Sequence, residues 1–207
     1  MVYSNFILRL LFSILFITSY FIISSINFNL IFYLILIIYF AVILEIYIYF
    51  KIYKLFPIIY ILISLIFFFT IDFNEDDLIS FNIYIFIIII FDIFSYIIGK
   101  IFGKNQLIKL SPNKTIEGFL GGFMISLILT ILILLYLYHS LNLNKITFIL
   151  IIILSAFAGD IIESYFKRKN NLKNSSNIIP GHGGVFDRFD SFLFSIILYS
   201  ISIKFLL

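Results

Sequence analysis

The feature that most restricts the fold of this chain is a series of apolar runs, each about as long as a bilayer is thick. A hydrocarbon core of about 30 Å takes roughly 20 residues of helix, with 17 to 25 the usual range. By that measure the chain holds seven spans, at residues 6–23, 30–50, 55–71, 81–98, 119–138, 146–162 and 192–205. Charged residues make up 12% of the sequence and apolar ones 63%. A water-soluble domain carries about 25% charged residues, and half of that cannot clothe a surface this apolar. Lipid must solvate most of the chain, and lipid requires backbone polar groups to be satisfied within each span. The expected fold is all-α: a polytopic membrane protein with about seven transmembrane helices. The first span has only Arg9 as an N-terminal charge and no small-residue cleavage site after it, so it reads as a retained anchor and not a signal peptide.

Basic residues then orient the spans. Lys51 and Lys54 follow the second span, Lys100, Lys104, Lys109 and Lys114 the fourth, and Lys167, Arg168, Lys169, Lys173 and Arg188 the sixth. With seven spans these loops and Arg9 share one side, which carries 12 of the 14 basic residues. The other side holds Lys145, Lys204 and the acidic run Asp72, Glu75, Asp76, Asp77. Because cytoplasmic loops carry the excess of Lys and Arg, the N-terminus and the two long polar loops are expected in the cytoplasm, and the C-terminus outside. Cysteine is absent, which removes disulfides, thiolate metal sites and a Cys nucleophile from consideration.

Residues 159–191 break the apolar monotony. They gather four acidic residues, five Lys or Arg, and four of the nine Gly of the chain. Asp160 and Glu163 are three apart at the end of the sixth span, and Ser164 is four beyond Asp160, so all three share a helix face. Asp187 and Asp190, again three apart, open the seventh. Two such helix ends set together would place carboxylates around a hard cation, and Mg²⁺ suits this because it binds through one or two carboxylates and leaves room for substrate phosphates. Between them lie Lys167, Arg168, Lys169 and Lys173, then Pro180-Gly181-His182-Gly183-Gly184. A glycine-rich turn entering a helix offers free N–H groups to an anion. Carboxylates beside Lys, Arg and such a turn form the inventory of phosphoryl or nucleotidyl transfer.

The loop at 99–122 adds Ser111-Pro112-Asn113-Lys114-Thr115, which has turn chemistry, and Thr115 is an expected N-cap for the fifth span. The bland reading is a loop of positive-inside lysines. Asp92, inside the fourth span and four residues from Tyr96, is a functional candidate because an ionisable group in a span is costly; its bland alternative is a pair with Lys100. Glu45 stands alone, with Lys51 nearby, and is expected to be structural. His182 is either a surface histidine or part of a site. No zinc motif occurs, nor a Rossmann or P-loop signature, and the basic residues lack the interleaved loop aromatics that would suggest nucleic acid.

At these residues the chain resembles the phosphatidate cytidylyltransferase (CDP-diacylglycerol synthase) family. Ser164, Lys167, Arg168, Lys173-Asn174, Pro180, His182, Gly183, Gly184, Asp187, Arg188 and Asp190 follow its longest motif; Asp160 with Glu163-Ser164, Ser111 through Gly118, and Asp92 through Gly103 follow three others in order. The resemblance implies transfer of CMP from CTP to phosphatidate, giving CDP-diacylglycerol and pyrophosphate, with CTP and phosphatidate in the bilayer as partners. It implies Mg²⁺, with a second cation beside it, held by Asp160, Asp187 and Asp190. It further implies that Lys167, Arg168 and Arg188 steady the triphosphate and that Ser111, Lys114 and Thr115 hold a phosphate. Ser164, His182, Gly183, Gly184 and Asp92 complete the expected substrate site. The location implied is a bacterial inner membrane, with the site on the cytoplasmic face. Residues 1–80 are then N-terminal transmembrane helices and 81–207 a C-terminal catalytic domain; a homodimer is compatible with this and required by nothing in it.

Two features pull elsewhere. Asn174 stands where the family pattern has Asp, which admits an inactive homologue. Asp92 and Glu45 inside spans admit a transporter, although a transporter's charges should spread along several spans at mid-depth.

Overall fold

The structure is a computed structural model that describes residues 18–20, 22–23, 29–71, 75–179 and 183–203. Of the first expected span, the described residues 18–20 and 22–23 are helical, and His182 lies outside the described set. Six helices follow: α1 (Asn29–Tyr49), α2 (Leu55–Phe68), α3 (Glu75–Phe102), α4 (Ile116–Tyr138), α5 (Leu143–Lys169) and α6 (Phe186–Ser202). Four segments, Leu30–Tyr49, Leu78–Phe102, Ile116–Tyr138 and Leu143–Lys169, are long and apolar enough to cross a membrane. The chain is an all-α polytopic membrane protein, as its apolar runs require. Helix α2 is shorter than expected: its 14 residues reach about 21 Å at 1.5 Å per residue.

Helices α3 and α5 outrun their apolar stretches. The first begins at Glu75 and the second closes on Lys167-Arg168-Lys169, basic charges that complement the helix dipole at a C-terminal end. The expected turn at 111–115 is instead a strand. Strand β2 (Ser111–Thr115) pairs antiparallel with β1 (Gln106–Ile108), and the reversal falls on Lys109-Leu110. The fixed φ of Pro112 suits an edge strand, where its missing N–H costs nothing. Thr115 then caps α4 as expected, its hydroxyl oxygen accepting from Gly118 N at 3.1 Å.

Helix α6 is the centre of the bundle. Leu193, Ile196 and Tyr199 are fully buried, and small polar groups hold neighbouring helices to its backbone. Ser64 of α2 donates to Leu193 O at 2.6 Å, and Tyr39 of α1 lies 2.6 Å from Ser64 Oγ. Tyr84 of α3 reaches Phe192 O at 3.2 Å and Ser195 Oγ at 2.9 Å. In lipid there is no hydrophobic drive between helices, and such bonds, with close packing, do the associating. Outward faces carry large apolar side chains, Tyr136, Ile37, Phe40 and Leu132 among them, which only a bilayer solvates well.

Glycines set how closely helices approach near the basic loops. A Cβ on Gly118 of α4 would come 2.7 Å from Ser95 O and 2.9 Å from Gly99 Cα of α3. One on Gly159 of α5 would strike the carbonyl oxygen of Asp190 on α6. The three basic loops meet at this end of the bundle. Ile52 N donates to Asn170 Oδ1 at 3.1 Å, and Arg168 Nε to Leu110 O at 3.2 Å, as the charge distribution expects.

Candidate active site

At that end a cavity of about 650 Å³ opens between α3, the hairpin, α4, α5 and α6. It is lined by Asp92, Ser111, Lys114, Thr115, Asp160, Asp187, Arg188 and Asp190, all expected site residues from four separate stretches of sequence, and by Phe91, Tyr96, Phe119 and Phe157. The glycine contacts explain the convergence. The α3–α4 approach at Gly118 brings Asp92 towards the hairpin, and the α5–α6 approach at Gly159 sets Asp160 beside Asp190.

Two links close the polar wall. Lys114 of β2 pairs with Asp160 of α5, Nζ to Oδ2 at 2.5 Å. Ser191 of α6, only 2% exposed, places its hydroxyl 2.9 Å from Asp160 Oδ1 and 3.2 Å from Asp92 Oδ1. That hydroxyl has one hydrogen and serves one carboxylate at a time. Asp92 thus meets Ser191, whereas Lys100, its alternative partner, lies over the Tyr96 ring. Asp190 accepts from Ser191 N at 3.0 Å.

Asp187 is differently employed. Its Oδ1 accepts from Lys167 Nζ at 2.7 Å, and its Oδ2 from Gly184 N at 2.8 Å and Ser175 N at 3.0 Å. It ties the loop before α6 to the first turn of that helix. Lys167 also pairs with buried Glu163 at 2.7 Å, so its charge is spent between two carboxylates. Arg168 holds the hairpin and loop together through Leu110 O and Leu172 O. Ser164 is buried outside the cavity. Gly183 takes φ +90°, and a Cβ there would meet Asp187 Oδ2, which makes it part of the loop closure. Asn174 is exposed beside Gly183 and does not line the cavity.

The donor chemistry suits a hard cation: Asp92, Asp160, Asp187 and Asp190 line one cavity together with Lys100, Lys114 and Arg188. Among the described residues no three acidic or His side chains are drawn together tightly enough to hold a metal. Of the three expected ligands, Asp160 and Asp187 meet protein donors on both carboxylate oxygens, Asp190 accepts from Ser191 N, and all three line the cavity. Glu45 is the buried group that sequence reasoning set aside. It is 1% exposed, and its Oε2 accepts from Phe186 N at 3.0 Å.

A profile of the cytidylyltransferase family matches residues 1–206. The phosphatidate cytidylyltransferase of Staphylococcus haemolyticus (strain JCSC1435) is 43% identical over 132 residues, 62% of this chain and 50% of that protein. The Staphylococcus saprophyticus protein of that name is 46% identical over 110 residues, 52% of this chain and 42% of its own length. That of Staphylococcus aureus (strain COL) is 45% identical over 123 residues, 58% and 47% respectively. The chain spans about half the length of these curated relatives. With a match over nearly every residue, and with the ordered motifs assembled around one cavity, the chain belongs to the cytidylyltransferase family.

Proposed function

We propose that the protein transfers CMP from CTP to phosphatidate, forming CDP-diacylglycerol and pyrophosphate, at the cytoplasmic face of a bacterial membrane. The supporting observation is the cavity itself, whose wall joins carboxylates, Lys114 and Arg188 to Phe91, Tyr96, Phe119 and Phe157. A wall that combines charged and aromatic side chains fits a nucleotide meeting the phosphate of a lipid. The phosphate oxygen of phosphatidate attacks the α-phosphorus of CTP, and pyrophosphate leaves. A phosphate monoester has its second pKa near 6, so the nucleophile is deprotonated at neutral pH and needs no strong base. Lys114 and Arg188 offset the triphosphate charge, and donors fixed before the reaction stabilise the charge that develops in it. Mg²⁺, when bound, would neutralise phosphate charge, and Asp160, Asp187 and Asp190 are the side chains that would hold it. Ser191 fixes the orientation of the Asp160 carboxylate.

A transporter is disfavoured by geometry, because the ionisable groups crowd one end of the bundle instead of lining its depth. The test of the proposed reaction is conversion of labelled CTP to a lipid-soluble product in vesicles containing phosphatidate and Mg²⁺. Parent and Asn174→Asp proteins are run side by side. CDP-diacylglycerol from the parent is expected; product from the Asp variant alone would mean the parent is an inactive homologue. No product from either folded protein would end the proposal. Competition with other lipid phosphates separates phosphatidate from its analogues.

A further inference from the structure

Helix α6 carries Asp187 and Arg188 in its first turn and Asp190 just beyond it, yet the residues before it, Gly183-Gly184-Val185, contain none of the Ser, Thr, Asp or Asn that normally cap a helix. Val185 makes no side-chain cap bond. The first N–H groups of a helix still need acceptors, the more so where they are buried. Gly184 N is met by Asp187 of the same turn. Phe186 N is met by Glu45, from a helix 141 residues earlier in the chain.

The surroundings of Glu45 show how tightly this cap is built. A Cβ on Gly184 would overlap both Glu45 Oε1 and Ser175 Oγ, so Gly184 is wedged between a side chain of α1 and one of the loop. Neither of those two oxygens has a hydrogen-bond partner, and both are buried. Five residues after Glu45, Phe50 packs edge-on against the Phe186 ring at 6.1 Å. The end of α1 therefore clamps the first residue of α6 by backbone and by ring. Ser175, on the other side of Gly184, donates its N–H to Asp187.

We propose that Glu45 is a positioning residue for the active site: as a remote cap on α6, it fixes the first two turns, which bear Asp187, Arg188 and Asp190, and through Gly184 it holds the loop at Ser175 against them. The N-terminal helices are thereby part of the site and not only an anchor. The carboxylate sits at the positive end of the α6 dipole, where an anion is favoured, and its bond to Phe186 N is of the stronger, charge-assisted kind. Loss of a group that orients active-site side chains from behind typically costs 10- to 100-fold in activity.

The test compares Glu45→Ala and Glu45→Gln with the parent in detergent-purified full-length protein. Two readouts are taken: CDP-lipid turnover with the apparent KM for CTP, and the rate of trypsin cleavage after Lys173, an exposed residue of the loop. Turnover should fall about 10- to 100-fold in the Ala variant. The Gln variant, which keeps an acceptor but loses the charge, should lie between Ala and parent. Cleavage after Lys173 should quicken in the same order. Folded variants that turn over within about twofold of the parent, or that are cut at the parental rate, would overturn the proposal; a merely structural glutamate would lower thermal stability and leave both readouts in place. Should Glu45→Ala not accumulate, Glu45→Gln decides by the same criteria. The turnover readout rests on the proposed reaction and the cleavage readout does not. A parent that makes no CDP-lipid would thus sink the reaction while the trypsin rates still judge the cap.

Discussion

Asp160→Ala is expected to lower CDP-diacylglycerol formation by about a thousandfold, the scale at which removal of a group stabilising transition-state charge is felt, while the protein remains folded. The two halves of that statement follow from different properties of one side chain. The pair with Lys114 is partly exposed, 27% and 17% for the two side chains, and ion pairs in such settings contribute about 0–1 kcal/mol to stability. The same carboxylate is bound by Ser191, shares the cavity with Asp190, and is a proposed cation holder. Asp160→Asn keeps an acceptor for Ser191 but loses the charge, and it should be nearly as inactive as Ala. Turnover assays across a range of Mg²⁺ concentrations check both variants. Recovery at high Mg²⁺, or more than about a tenth of parental activity in Asn, would show that Asp160 is a scaffold and not a participant.

The second large effect is expected at Gly159, a residue with no chemistry. A single methyl group there meets the carbonyl oxygen of Asp190, which is backbone and cannot swing aside. Overpacking of a close contact typically costs about 1–3 kcal/mol, and here the displacement separates α5 from α6 at the position where Asp160 and Asp190 face the cavity. Gly159→Ala should therefore lose both thermal stability and activity. Gly121→Ala is the comparison, because the nearest atoms its new methyl would meet belong to the side chain of Ile98 and not to backbone. Thermal unfolding and turnover of the two variants give the readout. Equal effects would mean that the α5–α6 approach does not set the site.

Much of this site was legible in the sequence because charge is so scarce. In a chain with 12% charged residues, Asp92, Lys114, Asp160, Asp187, Arg188 and Asp190 must find one another or water, and all six line one cavity. The parity of the basic loops likewise anticipated that residues 50–54, 103–115 and 170–179 meet at one end. Sequence did not show how the carboxylates divide their work. Asp187 and Asp190 look equivalent three residues apart and both line the cavity, yet Asp187 is held by Lys167, Ser175 and Gly184 and Asp190 by the N–H of Ser191. Spacing along a helix reports a shared face and is silent about which donors the loop will bring. At Ser111–Thr115 the Pro and Asn favour a turn, a preference that pairing with Gln106–Ile108 overrides. Glu45 was the hardest to see. Its partner is a backbone N–H, which has no identity in sequence, and Lys51 nearby offered a simpler explanation. The absence of a capping residue before α6 was the one available signal.

The most direct test of the central claim, that this cavity receives the nucleotide, uses the absence of native cysteine. Leu107 lines the cavity and bears none of the proposed chemistry, and Leu107→Cys gives a single thiol to label with a water-soluble maleimide. At CTP about tenfold above its apparent Kd, with Mg²⁺, labelling at 107 should slow about tenfold, following the fraction of protein left unbound. Tyr53→Cys, in the separate groove between α2 and α5, should label at the same rate with and without CTP. Unchanged labelling at 107, in protein that still converts CTP, would place the nucleotide elsewhere and contradict the account.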